Sequence, residues 1–295
     1  MQQLTDKLRN AAKDLLASGT VDLVLGYTKG PNPQQVIPWV AKTPQDAAKL
    51  EYDGPLPLSK YLLEDAFRDK KTGLVVKGCD YRALKLMLAE NRLDRNEVFL
   101  IGVDCPGIAN PVQKTQAKSP FCQACALQCP PQDEVDLLLT NDSPATSPQE
   151  QSDPFPQIAE LEELDSAQRF QFWQEQFRRC KRCYSCRNAC PVCTCRVCLF
   201  DRENPGYIDG APDQLAQQQF YHIIRAFHGA GRCVGCGSCS RVCPENIPMH
   251  LLSQKLSQVL EKFYGSYTPG VSNLPSPLST ALASDPDPFR KGVKK

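Results

Sequence analysis

Two cysteine runs, CKRCYSCRNACP from Cys180 and CVGCGSCSRVCP from Cys233, repeat one spacing, C-x-x-C-x-x-C-x-x-x-C-P. A chain with that spacing wraps two four-iron clusters. Three closely spaced thiolates take three corners of one cube, and the fourth cysteine, turned away by its proline, reaches the other cube. The rule assigns Cys180, Cys183, Cys186 and Cys243 to one cluster and Cys233, Cys236, Cys239 and Cys190 to its neighbour. A pair of clusters interlocked in this way moves single electrons, so the repeat constrains both the local fold and the chemistry.

The rest of the composition narrows the setting. With 295 residues the chain is long for one core and comfortable for two. Its sixteen cysteines fall short of a disulfide scaffold, which carries roughly 8–10% cysteine in a short secreted chain. The opening MQQLTDKLRNAAKDLLASG reads as an amphipathic helix without the apolar run of a signal peptide, so a reducing, cytoplasmic compartment is expected. No segment reaches the ~20 apolar residues of a membrane helix. A net charge of +1 gives no general attraction to nucleic acid or a membrane surface.

Along the first hundred residues helix and strand signals alternate. Leu4, Leu8, Ala11, Leu15 and Leu16 share a helical face that Gly19 can end. VDLVLGY at 21–27 and QVIPWVA at 35–41 read as strands flanking a Gly-Pro-Asn-Pro turn, and Thr43-Pro44 suits a helix start. A helix is expected over 57–69, then the strand TGLVVKG, a helix over 81–92 and the strand EVFLIGV. That strand-helix-strand series places Cys79 and Cys105 at the C-terminal edge of neighbouring parallel strands, where open α/β sheets bind ligands. With Cys122 and Cys125 of FCQAC nearby, a third cluster is expected from Cys79, Cys105, Cys122 and Cys125. The competing reading is that these are ordinary buried thiols.

Residues 131–157 are rich in Pro, Ser, Gln and acidic residues and read as a linker. A helix over 158–179 leads to the first run, another over 214–227 lies between the runs, and a third over 248–263 follows the second. The expectation is an α+β multi-domain chain. It divides into an α/β domain with a short, mostly parallel sheet over 1–130, a linker over 131–157, an α-helical ferredoxin-type domain over 158–265 and an extended Pro-rich tail over 266–295.

Three further thiols, Cys193, Cys195 and Cys198, follow the first run directly in PVCTCRVC. With Cys129, the remaining cysteine, they would close a fourth cluster. Zinc fits C-x-C-x-x-C plus one ligand equally, with His222, His228 or His250 as the completing group, and alternative ligation of the first pair of clusters is a third reading. Gly229, Gly231, Gly235 and Gly237 let backbone N–H groups approach cluster sulfur. Arg178, Arg179, Lys181, Arg182 and Arg187 crowd the first run, where they either favour reduction and attract an acidic partner or simply solvate a helix end. No nucleophilic constellation stands out, because each thiol lies in a ligand group.

The chain resembles the beta-subunit family of deazaflavin-reducing hydrogenases and deazaflavin-dependent formate dehydrogenases. The resemblance is carried by VDLVLGY, KGCDYRAL, LIGVDCPG, FCQAC, CKRCYSCRNACPVCTCRVC, CVGCGSCSRVCPENIP and YTPGVSNLPSPL. It implies iron-sulfur wiring beside a catalytic subunit. Two departures, a missing glycine-rich N-terminal segment and a short stretch between Cys105 and Cys122, remove the walls of the family's flavin pocket, so FAD is not expected. The resemblance therefore implies a non-catalytic electron-transfer subunit. Its redox partners would be hydrogenase, formate dehydrogenase or heterodisulfide reductase-like subunits, or a ferredoxin. Two other functions stay open: a flavin-containing subunit that reduces a deazaflavin or nicotinamide, and a zinc-stabilised interaction protein.

Overall fold

Strands without polar interruptions need cover on both faces, and the N-terminal half supplies it. The computed structural model describes residues 2–32, 35–108, 119–123, 125–141, 156–204, 206–209, 214–272 and 275–286. Helix α1 (Gln2–Ala17) precedes strands β1 (Leu23–Lys29) and β2 (Val36–Ala41), which pair as an antiparallel hairpin. A short helix α2 (Pro44–Ala47) follows, its start held by a capping box between Thr43 and Asp46 with Pro44 at the first position. Strand β3 (Thr72–Val76) lies parallel to β1, helix α3 (Gly78–Ala89) crosses over, and β4 (Val98–Val103) lies parallel to β3 with Gly73 beside Phe99 and Val76 beside Gly102. The sheet order is β2-β1-β3-β4-β5, closed by β5 (Leu137–Leu139) parallel to β4.

The period-two alternation of side chains sorts these strands between two cores. Val24, Val75, Ile101 and Val103 join Leu4, Leu8 and Ala12 of α1 on one face. Leu25, Leu74, Val76 and Leu100 join Tyr81 and Leu84 of α3 on the other.

Three local expectations are corrected by tertiary contacts. The stretch 57–69 forms two 3-10 turns, Ser59–Leu63 and Asp65–Phe67, in place of a helix. There the buried Asp80 carboxylate accepts the N–H groups of Leu58 and Ser59 and so ties the start of that stretch to α3. Helix α3 begins at Gly78, three residues before the expected start, so Cys79 stands in its first turn. Glycine is required there because a Cβ would meet the Leu127 carbonyl oxygen at 1.7 Å. The segment read as linker contributes β5, aligned by Asp136, which accepts from the Leu100 N–H and pairs with Arg95 at 2.9 Å. Most of that linker, from 142 to 155, lies outside the described residues, as does part of the tail.

The second half is helical. Beyond α4 (Pro120–Gln123), α5 (Pro156–Glu162) and α6 (Ser166–Arg178) divide the expected long helix, because Asp165 caps α6 through a box with Gln168. One-turn helices α7 (Ser185–Asn188) and α9 (Ser238–Arg241) pack together, and α8 (Leu215–His228) packs against α6 and α10 (His250–Tyr264). Polar clamps join the halves: Arg232 forks onto Glu90 at the end of α3 at 2.6 Å, Arg241 donates to the Pro55 carbonyl at 2.6 Å, and Arg82 to that of Pro269 at 2.9 Å. No helix among the described residues is long and apolar enough to cross a membrane.

Candidate metal centres

The two cysteine runs fold alike in backbone as well as in spacing. Positions two and four after the first cysteine are left-handed in both, Arg182 and Tyr184 in the first run and Gly235 and Gly237 in the second, with φ between 48° and 68°. Tyr184 and Gly237 then start α7 and α9 as their N-caps. Left-handed backbone costs a non-glycine residue about 1–2 kcal/mol, so the first run carries strain that glycine avoids in the second. In both runs this conformation aims an N–H back at sulfur. The Arg182 N–H lies 3.3 Å from Cys180 Sγ, and the Gly235 N–H donates to Cys233.

Three cavities gather cysteines. Cys180, Cys183, Cys186 and Cys243 line the first, of about 360 Å³ including its solvent mouth. Cys190, Cys233, Cys236 and Cys239 line the middle one, about 560 Å³, together with Cys193. Cys79, Cys105, Cys122 and Cys125 line the third, about 530 Å³, at the C-terminal edge of β3 and β4. The proline after Cys190 and that after Cys243 thus turn each cysteine into the other run's cavity. Val234, Gly235 and Cys236 form a wall common to the middle and third cavities. Cys239 of the middle cavity packs with Cys180 and Cys243 of the first. The three sites therefore lie in sequence, with the middle one adjoining both others.

The surroundings suit clustered thiolates. Lys77, Arg82 and Arg241 line the third cavity, Arg225 the middle one and Arg182 the first, all of them buried side chains. Burial pushes the free thiols upward, Cys105, Cys186 and Cys236 to about 11 and Cys233 to about 12, so each holds its proton until a metal displaces it. Such thiols are poor nucleophiles. Cys193 is the exception: a hydrogen bond from Cys190, aided by Arg225, outweighs burial and holds it near 7. Among the described residues no three His, Cys, Asp or Glu side chains converge as a single-ion site needs. The donor set of thiols spread around a cavity, with N–H groups and cations behind them, fits a four-iron cluster in each of the three sites.

The thiols of the fourth group have different surroundings. Cys129 lies near Asp104, and it lines neither the middle cavity that Cys193 lines nor the groove that Cys193 and Cys195 share. Cys193 faces the middle cavity, and Cys195 is exposed on an open groove with Lys60, Glu64 and Arg68. Cys198 packs beside Phe200 and Tyr221 and hydrogen-bonds Arg187. Of the three histidines, His250 lines the middle cavity together with Cys193. Buried His222 stacks on Phe177 and places Nε2 3.2 Å from Cys180 Sγ, and His250 bonds Ser240 and Gln157. His228 is exposed at the end of α8. Sequence reasoning missed Lys77, Arg82, Arg225 and Arg241, cations far apart in the chain whose role arises only where the cavities form.

Residues 176–247 match the family described as "4Fe-4S dicluster domain". The chain is 28% identical over 106 residues, 36% of its length and 27% of the relative's, to the "F420-dependent formate dehydrogenase subunit beta" of Methanocaldococcus jannaschii. It is 41% identical over 51 residues, 17% of its length and 48% of the relative's, to "Putative ferredoxin-3" of Sinorhizobium fredii. The matches thus span about a quarter and about half of those relatives' own lengths. The segment around the two cysteine runs is a 4Fe-4S dicluster domain, within a chain that resembles the beta-subunit family of deazaflavin-dependent formate dehydrogenases.

Proposed function

We propose that the chain is an electron-relay subunit holding three four-iron clusters in a row. Cys180, Cys183, Cys186 and Cys243 hold the first, Cys190, Cys233, Cys236 and Cys239 the second, and Cys79, Cys105, Cys122 and Cys125 the third. The observation that carries this reading is the presence of three adjoining cavities, each lined by such a set. A bound four-iron cluster supplies a one-electron couple whose potential follows its hydrogen bonds, net charge and exposure. The chain's own part is to hold the thiolates, direct N–H groups at sulfur and fix buried cations nearby. Lys77, Arg82 and Arg241 concentrate three cations at the third site, with Asp80 as the counter-charge of Lys77. Positive charge favours the reduced form, so that site is the electron-accepting end of the row.

The opposite end faces a partner. Cys183 is exposed, and so are Arg178, Arg179 and Lys181 around it. Glu245 partly offsets this collar, lying 4.0 Å from Lys181. A basic collar beside an exposed ligand suits an acidic redox protein, drawn in by electrostatic steering that weakens with salt. The partner class that fits the relative's description is a subunit of a formate dehydrogenase, hydrogenase or heterodisulfide reductase-like complex, or a ferredoxin. The reaction on substrate then belongs to that partner, and this chain needs no flavin.

Anaerobically purified chain analysed for iron, sulfide and zinc tests the reading. The expected result is about twelve irons per chain with matching sulfide. About eight irons would remove the third site, and stoichiometric zinc without sulfide would overturn the proposal.

A further inference from the structure

Both the middle and the third cavity are lined by five thiols, but the fifth of the third, Cys236, is the wall it shares with the middle one, whereas the fifth of the middle, Cys193, lines neither of the other two cysteine cavities. Cys193 lines the middle cavity together with Cys190, Cys233, Cys236 and Cys239. The cause is local. Residues 190–193 form a turn in which the Cys193 N–H bonds the Cys190 carbonyl at 3.2 Å, and a turn of that span brings its first and last side chains to one side. Between them Pro191 and Val192 are buried, and Val192 packs on Ala83 and Val234. That packing fixes the turn and presents both thiols to the same space, close enough to hydrogen-bond one another. Arg225, buried on the cavity wall, faces both.

The geometry points to a five-thiol site in which Cys190 and Cys193 are alternative fourth ligands of the middle cluster. This rests on the proposal that a four-iron cluster binds there. The exchange is balanced within the site. The iron–sulfur bond to one cysteine breaks as that to the other forms, and the proton of the incoming thiol passes to the outgoing thiolate across their contact. No electron and no further reactant takes part. The exchangeable ligand thus belongs to the site that adjoins both others, where its identity bears on passage along the whole row. It also gives Cys193 a role that requires no fourth cluster.

Iron and sulfide content and EPR of the full chain test this with four variants: Cys190→Ala, Cys193→Ala, the double variant, and Cys236→Ala. Each single variant at Cys190 or Cys193 is expected to keep wild-type iron and all reduced-state signals. The double variant and Cys236→Ala are expected to lose the middle site, up to about four irons, or to convert it to a three-iron cluster. Signals of the two outer sites, retained in every variant, report an intact fold. Loss of the middle site in Cys190→Ala alone, or in Cys193→Ala alone, would overturn the exchange and leave a single fixed ligand. Full iron in Cys236→Ala and in the double variant would overturn the cluster at this cavity itself.

Discussion

Lys77 and Asp80 form an ion pair at the floor of the sheet-edge cavity, with side chains 1% and 0% exposed and Nζ 3.3 Å from Oδ2. Nζ also donates to the Gly54 carbonyl at 3.0 Å and to the Tyr27 hydroxyl, while Asp80 Oδ1 accepts from Leu58 and Ser59. Asp80 Oδ2 has no hydrogen bond, so the ammonium is its counter-charge. Lys77→Met leaves a carboxylate buried without that charge, which costs about 3–5 kcal/mol. An exposed pair would lose only ~0–1 kcal/mol. At ~2–4 °C per kcal/mol for a domain of this size, the melting midpoint should fall by roughly 6–20 °C. Thermal scans of anaerobic protein at one heating rate, followed by circular dichroism, measure it. The double variant Lys77→Met/Asp80→Asn removes both charges and should recover more than half of the loss. A fall under about 2 °C, or a double variant no more stable than Lys77→Met, would show that Lys77 is not the counter-charge Asp80 needs. Lys77 also favours thiolate at Cys79 and Cys105, so its removal should lower the reduction potential of that site in an EPR-monitored titration.

Removing iron by oxidation and chelation should uncouple the halves of the chain, because four-residue helices do not persist alone in water. Hydrogen exchange should then lose protection over 185–188 and 238–241, while β3 and β4, packed between two apolar cores, keep theirs. Unchanged protection in α7 and α9 would show that packing alone holds them. Gly237→Ala places a Cβ 2.2 Å from the Phe121 ring at φ +68°, and Gly235→Ala places one in open space at φ +66°. Both should lose about 1–2 kcal/mol from backbone strain, and Gly237→Ala about 1–3 kcal/mol more from overpacking. Adding Phe121→Ala to Gly237→Ala should return that difference. Equal chemical-denaturation midpoints for the two alanine variants would assign the whole effect to the backbone.

The cysteine runs could be read from the sequence because a thiolate's role in wrapping a cube depends on spacing over a dozen residues, and spacing is a one-dimensional property. The same holds for β1, β3 and β4, whose apolar runs need only local pattern, and for α8 and α10. The left-handed positions were half visible. Glycines announce them at 235 and 237, whereas Arg182 and Tyr184 give no local sign and are held there by the fold around the first run. Leu137–Leu139 is masked by a Pro- and Ser-rich composition, although three successive leucines between Asp136 and Thr140 are themselves a strand signal.

The remaining features depended on contacts between distant residues. Asp80 replaced an expected helix over 57–69 with two short turns by capturing the N–H groups of Leu58 and Ser59, an attraction that no window of local sequence contains. Counting cysteines groups Cys129 with Cys193, Cys195 and Cys198, but position along a chain says nothing of distance across it, and the surroundings of Cys129 near Asp104 and of Cys193 on the middle cavity come only from the fold. The paired runs and their ligand class followed from sequence because local spacing sets that geometry. The joining of three cavities through Val234, Cys236 and Cys239, the gathering of Lys77, Arg82 and Arg241 at one end, and the fifth thiol in the middle were decided by tertiary packing, since only a folded chain brings those charges and sulfurs within reach of one another.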